Sequence, residues 1–208
     1  MIAGSGSVIV AVIPLGQMCD SGFRITSDDV EVLRERANGR ASVQPLIHAY
    51  ERWLSVIPSL DDAMEAVSDA FAEQKLGDGV GLQEATGIDD YACDEELARL
   101  RALDEHNDWR SIAVGTLERC HAAPTFMDNK GFVFHLPAFL IAELNDQHGY
   151  GFIDRLWKFD GFPERWFELL SRPQRDAIAT VLELVAKHPD YHDNVDAIKI
   201  ALGRYRDE

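Results

Sequence analysis

The sequence predicts an all-α, compact multi-helix domain, preceded by a short apolar segment that reads as a strand or a tail. Three observations carry that expectation. Apolar residues recur every three to four positions through most of the chain after Gly22, the period of a helix with one buried face. Starting and ending signals bracket each of these runs. No alternation of apolar and polar residues, the mark of a half-buried strand, occurs beyond the first fifteen residues. At 208 residues the chain fits one helical domain over 23–208 with the apolar segment at 1–22, and a globule of its 23.3 kDa exposes about 10,000 Å².

The first helix is opened by Thr26 or Ser27 with Asp28 and Asp29 behind it, shows Val30, Leu33 and Ala37 on one face, and closes at Asn38-Gly39. Ser42 precedes a second, with Pro45 in the tolerated first turn, a wide apolar face of Leu46, Ile47, Tyr50, Trp53, Leu54 and Ile57, and an end at Pro58. Ser59 starts the third, which carries Leu60, Met64, Val67 and Phe71 and ends at Leu76-Gly77. Residues 77–91 hold four glycines and no sustained period, so they read as the longest loop. A helix over 94–102 follows, then one that starts at residues 106–108, runs from Trp109 through Leu117 to His121, and stops at Pro124.

Residues 131–145, GFVFHLPAFLIAELN, are apolar all round and are expected to form the central core element, with Pro137 either kinking the helix or marking its first turn. Two short aromatic helices are expected near 152–159 and 163–170, separated by Gly161. Ser171-x-x-Gln174 is a capping box with Pro173 in the first turn; its helix presents Ile178, Val181, Leu182 and Val185 until His188-Pro189. A last helix holds Val195, Ile198 and Leu202.

Charge narrows the function. Thirty-six acids against twenty Lys and Arg give −16, and the basic residues are scattered, so neither nucleic acid nor an anionic membrane surface is an expected partner. Cys19, Cys93 and Cys120 form neither a C-x-x-C pair nor an even disulfide set, which fits a reducing, cytoplasmic compartment. The apolar run over 8–13 lacks the cationic residues that precede the core of a secretory signal and is too short to span a bilayer.

The run His135-Leu136-Pro137-Ala138-Phe139-Leu140, the earlier Asp108-Trp109 and the later Ser171-Arg172-Pro173-Gln174-Arg175 resemble a family of bacterial proteins of unknown function. That family shares an aromatic-Leu-Pro-Ala-aromatic-Leu segment and a later Pro-x-Gln-Arg helix start; His135 stands here where the family carries an aromatic residue. The resemblance covers roughly residues 60–186 and implies a mostly helical cytoplasmic domain, with no activity or site residue to transfer.

No assembled chemistry is legible. His188 and His192 are four apart beside Asp190 and Asp193, but Pro189 between them breaks the helical face that a metal site would need, and a histidine suits a helix C-terminus. His135 reads as a core histidine bonded to a backbone carbonyl. Cys120 and His121 are adjacent and diverge by about 100° on a helix, so they form no thiolate–imidazole pair. No catalytic residue, metal ligand or cofactor is assigned.

Acidity is the sharper signal. Residues 59–108 contain fifteen acids against Lys75, Arg99 and Arg101, a net −12. Such a face is either simply well solvated or a docking surface for a basic protein, since concentrated charge speeds encounter with an opposite partner. The acids flanking the expected loop, Asp89, Asp90, Asp94 and Glu95, are the candidate binding residues. They lack the ligand spacing of a calcium loop. The leading expectation is a non-enzymatic acidic protein-binding domain of the kind that inhibits a basic bacterial toxin, an immunity-type protein. The alternatives are an enzyme whose site joins His135 or His106 to acids of the loop, and a module that self-associates through Phe152, Trp157, Phe159, Phe162, Trp166 and Phe167.

Overall fold

The computed structural model describes residues 22–158 and 165–207, and within them the chain is all-α, without a strand. The apolar run over 8–13 lies outside the described residues. Ten α-helices follow in order: α1 Ser27–Ala37, α2 Gln44–Leu54, α3 Ile57–Ala70, α4 Leu82–Asp89, α5 Asp94–Arg101, α6 Val114–Arg119, α7 Asn129–Leu144, α8 Arg165–Glu168, α9 Arg172–Val185 and α10 Val195–Arg206. Short 3₁₀ turns link several of them, at Ala41–Val43, Trp109–Ser111, Ala123–Thr125, Phe152–Leu156 and Pro189–Asn194.

The centre is α7, where Phe134, Leu136, Phe139, Leu140 and Leu144 are fully enclosed. A helix apolar on every side is stable only when neighbours cover every side. Its neighbours are α3, α8 and the turns at Trp109–Ser111 and Phe152–Leu156; α9 packs on α3, and α10 on α9. Pro137 sits inside α7 rather than in its first turn. Having no N–H, it leaves the Val133 carbonyl without its usual helical donor, and close packing on all sides offsets that loss. Gly131 is dictated by contact: a Cβ there would lie 2.0 Å from the Val80 carbonyl oxygen.

Cap chemistry fixes both ends of α1 and the start of α9 where the sequence places them. Thr26 accepts from Asp29 N, Asp29 accepts from Thr26 N at 2.7 Å, and Asn38 closes α1 with φ of 45°. Gln174 accepts from Ser171 N at 2.9 Å and donates across to Gln74. Three expected boundaries move. Pro58 does not end α2 but lies in the first turn of α3, so the chain turns at 55–56, two residues earlier. Helix α3 stops at Ala70, and Leu76 is buried beyond it without being helical. The helix expected from Trp109 breaks at Ile112, because Asp108 caps a 3₁₀ turn by accepting from Arg110 N.

A clamp fixes where the domain begins. Asp146 accepts from Phe23 N at 2.7 Å and Arg24 N at 2.6 Å, and Trp53 Nε1 donates to the Phe23 carbonyl. His188 Nδ1 accepts from Asp190 N, so its proton is on Nε2, which donates to Gly22 O at 3.0 Å.

A candidate docking corner at the α4–α5 turn

The region expected to be a loop is a helical hairpin. Helix α4 starts at Gly81 with no side-chain cap of its own, and the cap comes from a distance: Asp104 accepts from Gln83 N at 2.7 Å and Glu84 N at 3.2 Å. Gly81 makes room for it, since a Cβ would lie 2.2 Å from Asp104 Cγ. Gly87, a helix-weakening residue by propensity, lets α5 approach, because a Cβ there would meet Leu100 at 2.4 Å and Leu97 at 2.9 Å. Buried Glu84 is gripped by both guanidinium arms of Arg101, each at 2.7 Å. The glycines that suggested a loop are the residues that let this hairpin close.

The tip between the helices has an unusual residue in a familiar turn. Ala92 N donates to Gly87 O at 2.8 Å and Tyr91 N to Ile88 O at 3.1 Å, the two bonds of a Schellman ending. The residue after the cap in that motif is left-handed and is most often glycine. Here it is Tyr91, at φ of 57° and 96% exposed. Among the described residues its ring meets no aromatic neighbour and its hydroxyl no hydrogen-bond partner. A left-handed non-glycine residue persists where the surrounding bonds fix it, as the Schellman pair does here, and such residues cluster at functional sites.

The four candidate acids flank this tyrosine along the chain: Asp89 ends α4, Asp90 is its cap, and Asp94 and Glu95 open α5. They differ energetically. Asp94 and Glu95 suit the positive N-terminal end of α5, whereas Asp89 and Asp90 stand at the negative end of α4 with no basic residue in its last turn. Of the fifteen acids in 59–108, seven are committed to structure. Asp61 pairs with Arg24, Asp78 with Lys130, Glu84 with Arg101 and Glu96 with Arg99, while Asp104, Glu105 and Asp108 accept from backbone N–H groups. The remaining carboxylates bond to nothing among the described residues. Asp62, Glu65, Asp69 and Glu73 lie on and just after α3; the other four are those of the corner.

One family matches the chain, over residues 59–206, and its description is a family of unknown function, DUF6714. The chain belongs to this family. The match takes in the α7 proline segment and the capping box of α9, and leaves α1 and α2 outside. Neither the curated proteins nor the solved structures contain a match to the chain.

Within this DUF6714 chain the other candidates have structural employment. His135 is 1% exposed, its Nδ1 donates to Gly131 O at 2.7 Å, and burial pushes its ring down to about 4. His106 Nε2 donates to Arg101 O at the end of α5. His188 caps a 3₁₀ turn and lies against Phe23, Trp53 and Tyr191. Among the described residues no group of three His, Cys, Asp or Glu converges on a point where a metal ion would sit. Cys120 is a buried core residue and Cys93 is exposed.

Of the aromatic group, Phe152, Trp157 and Trp166 are core, and Phe167 is partly covered. Phe159 and Phe162 lie outside the described residues. A cavity of about 160 Å³ opens between α7 and residues 109–117, lined mostly by apolar side chains such as Trp109, Ile112, Leu117 and Ile141 and by no histidine or carboxylate. No helix among the described residues is long and apolar enough to cross a membrane.

Tyr91 is the residue that sequence reasoning missed. The acids stand out by composition, but a left-handed tyrosine has no sequence signature, and the only local hint is the absence of glycine after Asp89-Asp90, where α4 ends.

Proposed function

We propose that the α4–α5 corner is a docking surface for a basic protein, and that the chain is a non-enzymatic, immunity-type inhibitor of a cationic bacterial toxin in the cytoplasm. The observation that carries this reading is Tyr91, fully exposed in a left-handed conformation and flanked by Asp89, Asp90, Asp94 and Glu95, none paired with a cation among the described residues. The backbone turn closes α4 and the acids at α5 suit its positive end, but the exposed Tyr91 ring contributes nothing to that turn. Binding gains three things: an aromatic anchor, a ring face that attracts Arg or Lys, and carboxylates that steer the approach.

The test is affinity capture from the native host at low salt, with elution by rising salt. Wild type is expected to retain one basic protein in near-equal amount, and Asp89→Asn/Asp90→Asn/Asp94→Asn/Glu95→Gln combined with Tyr91→Gly to lose it. Co-expression should then relieve the captured protein's toxicity with wild type alone. Equal capture by both forms, or capture without protection, contradicts the proposal.

A further inference from the structure

A second feature lies in the connection between α7 and the Phe152–Leu156 turn. His148 is 3% exposed, and neither Nδ1 nor Nε2 meets a hydrogen-bond partner among the described residues. Its ring stands edge-on to Phe139 of α7, 5.1 Å between centroids, and against Tyr150 at 5.2 Å. Phe139 in turn stacks on Phe152 at 4.9 Å. The ring is therefore a plug on an aromatic wall, held by contact alone.

The chain around it is built to move. On one side Asp146 is tied to Phe23 N and Arg24 N; on the other Ile153 N donates to Glu143 at 2.7 Å. Between these anchors lie Gly149 and Gly151, neither with any atom within 4 Å of where a Cβ would stand, and Gly151 has φ of 68°. The outer latch is Tyr150, 59% exposed, stacked on His121 at 4.2 Å.

We infer that residues 147–151 form a proton-released strap: neutral His148 holds it shut against Phe139, and protonation of that ring frees it and uncovers the Phe139–Phe152 face. A buried imidazolium with no hydrogen-bond partner is disfavoured by desolvation, which the ring contacts do not offset. The charged and titratable groups facing the ring are Glu118 on α6, His121 just after it, and Tyr150 on the strap itself. Burial pushes His148 below the usual histidine range, Glu118 pulls it upward, and His121 lowers it further. The sign follows: the open strap binds the proton more tightly than the closed one. Closure is complete above the ordinary histidine value and weakens as pH falls beneath it.

Amide hydrogen exchange at Gln147, whose N–H donates to Ala142 O where the strap leaves α7, followed between pH 7.5 and 5, corrected for intrinsic exchange and read beside the NMR titration of the His148 ring, tests the strap. Wild type should lose protection there by up to about tenfold per pH unit below the ordinary histidine pKa. The loss should track the His148 titration while α7 and α9 stay protected. His148→Phe, which fills the same space without a titratable group, should show no such loss. Equal loss in His148→Phe, or a strap still protected once the wild-type ring is charged, overturns the inference. Should His148→Phe fail to fold, wild type decides alone: midpoints more than about one pH unit apart rule the strap out.

Discussion

The ends of α4 and α7 are built from the same backbone turn and put to opposite uses. After α7, Gln147 N donates to Ala142 O and Asp146 N to Glu143 O, with Asp146 left-handed at φ of 57°, as Tyr91 is after α4. At the α7 end both local carboxylates are recruited: Asp146 holds Phe23 N and Arg24 N, and Glu143 holds Ile153 N. At the α4 end Asp89 and Asp90 hold nothing among the described residues, and the left-handed residue is a large ring facing solvent. Both turns carry the two Schellman bonds; the carboxylates of the α7 end add long-range bonds to them, and those of the α4 end add none among the described residues. The comparison separates acids that build the fold from acids that bond to nothing among the described residues.

Asp146→Ala should have the largest effect on that contrast. It removes two charge-assisted bonds that hold the start of the domain, and should cost about 3 kcal/mol in urea unfolding. Arg101→Ala leaves Glu84 buried without its partner and should cost about 2 kcal/mol, which would show the interior of the hairpin to be structural even though its tip is not.

Glu143 makes the recruited end sensitive to pH. Burial pushes its carboxyl up to about 7, from 4.5 in the open chain, so the folded state binds the proton more tightly than the unfolded one. Its stabilising contribution is complete below the unfolded value and is lost as pH rises through about 7. Glu143→Gln should keep the bond from Ile153 N, flatten that part of the pH–stability profile, and stabilise the fold at pH 8 by on the order of 2 kcal/mol. The smallest effect belongs to the free end. Asp89→Asn/Asp90→Asn removes two charges from the negative pole of α4 and should raise stability by about 0.5 kcal/mol, less in high salt, while weakening partner capture.

Much of the fold was legible because most helices here carry their signals locally. Thr26-x-x-Asp29, Asn38-Gly39 and Ser171-x-x-Gln174 are caps in sequence and in space, and the faces of α1, α3 and α9 follow the helical period. Helix α4 was illegible for a physical reason. Its cap is Asp104, some twenty residues away, and its glycines serve contacts with Asp104, Leu97 and Leu100 that local propensity does not encode. Pro58 misled similarly, since proline marks the end of one helix or the first turn of the next with equal ease. At the corner, composition singled out acidity, but only tertiary structure separates Glu84 and Asp104, committed to the hairpin, from Asp89, Asp90, Asp94 and Glu95. The resemblance carried by α7 and α9 pointed to a family of unknown function, as the family match does, and stopped there, because those segments specify packing.

The central claim is that the α4–α5 corner is kept for a partner and not for the fold, and Tyr91→Gly tests it most directly. Glycine suits a left-handed position better than any other residue, so the variant should gain about 1 kcal/mol in urea unfolding. The same variant should lose most of its hold on the basic protein that wild type captures. A variant that unfolds more easily than wild type, or one that binds the partner unchanged, would contradict the account.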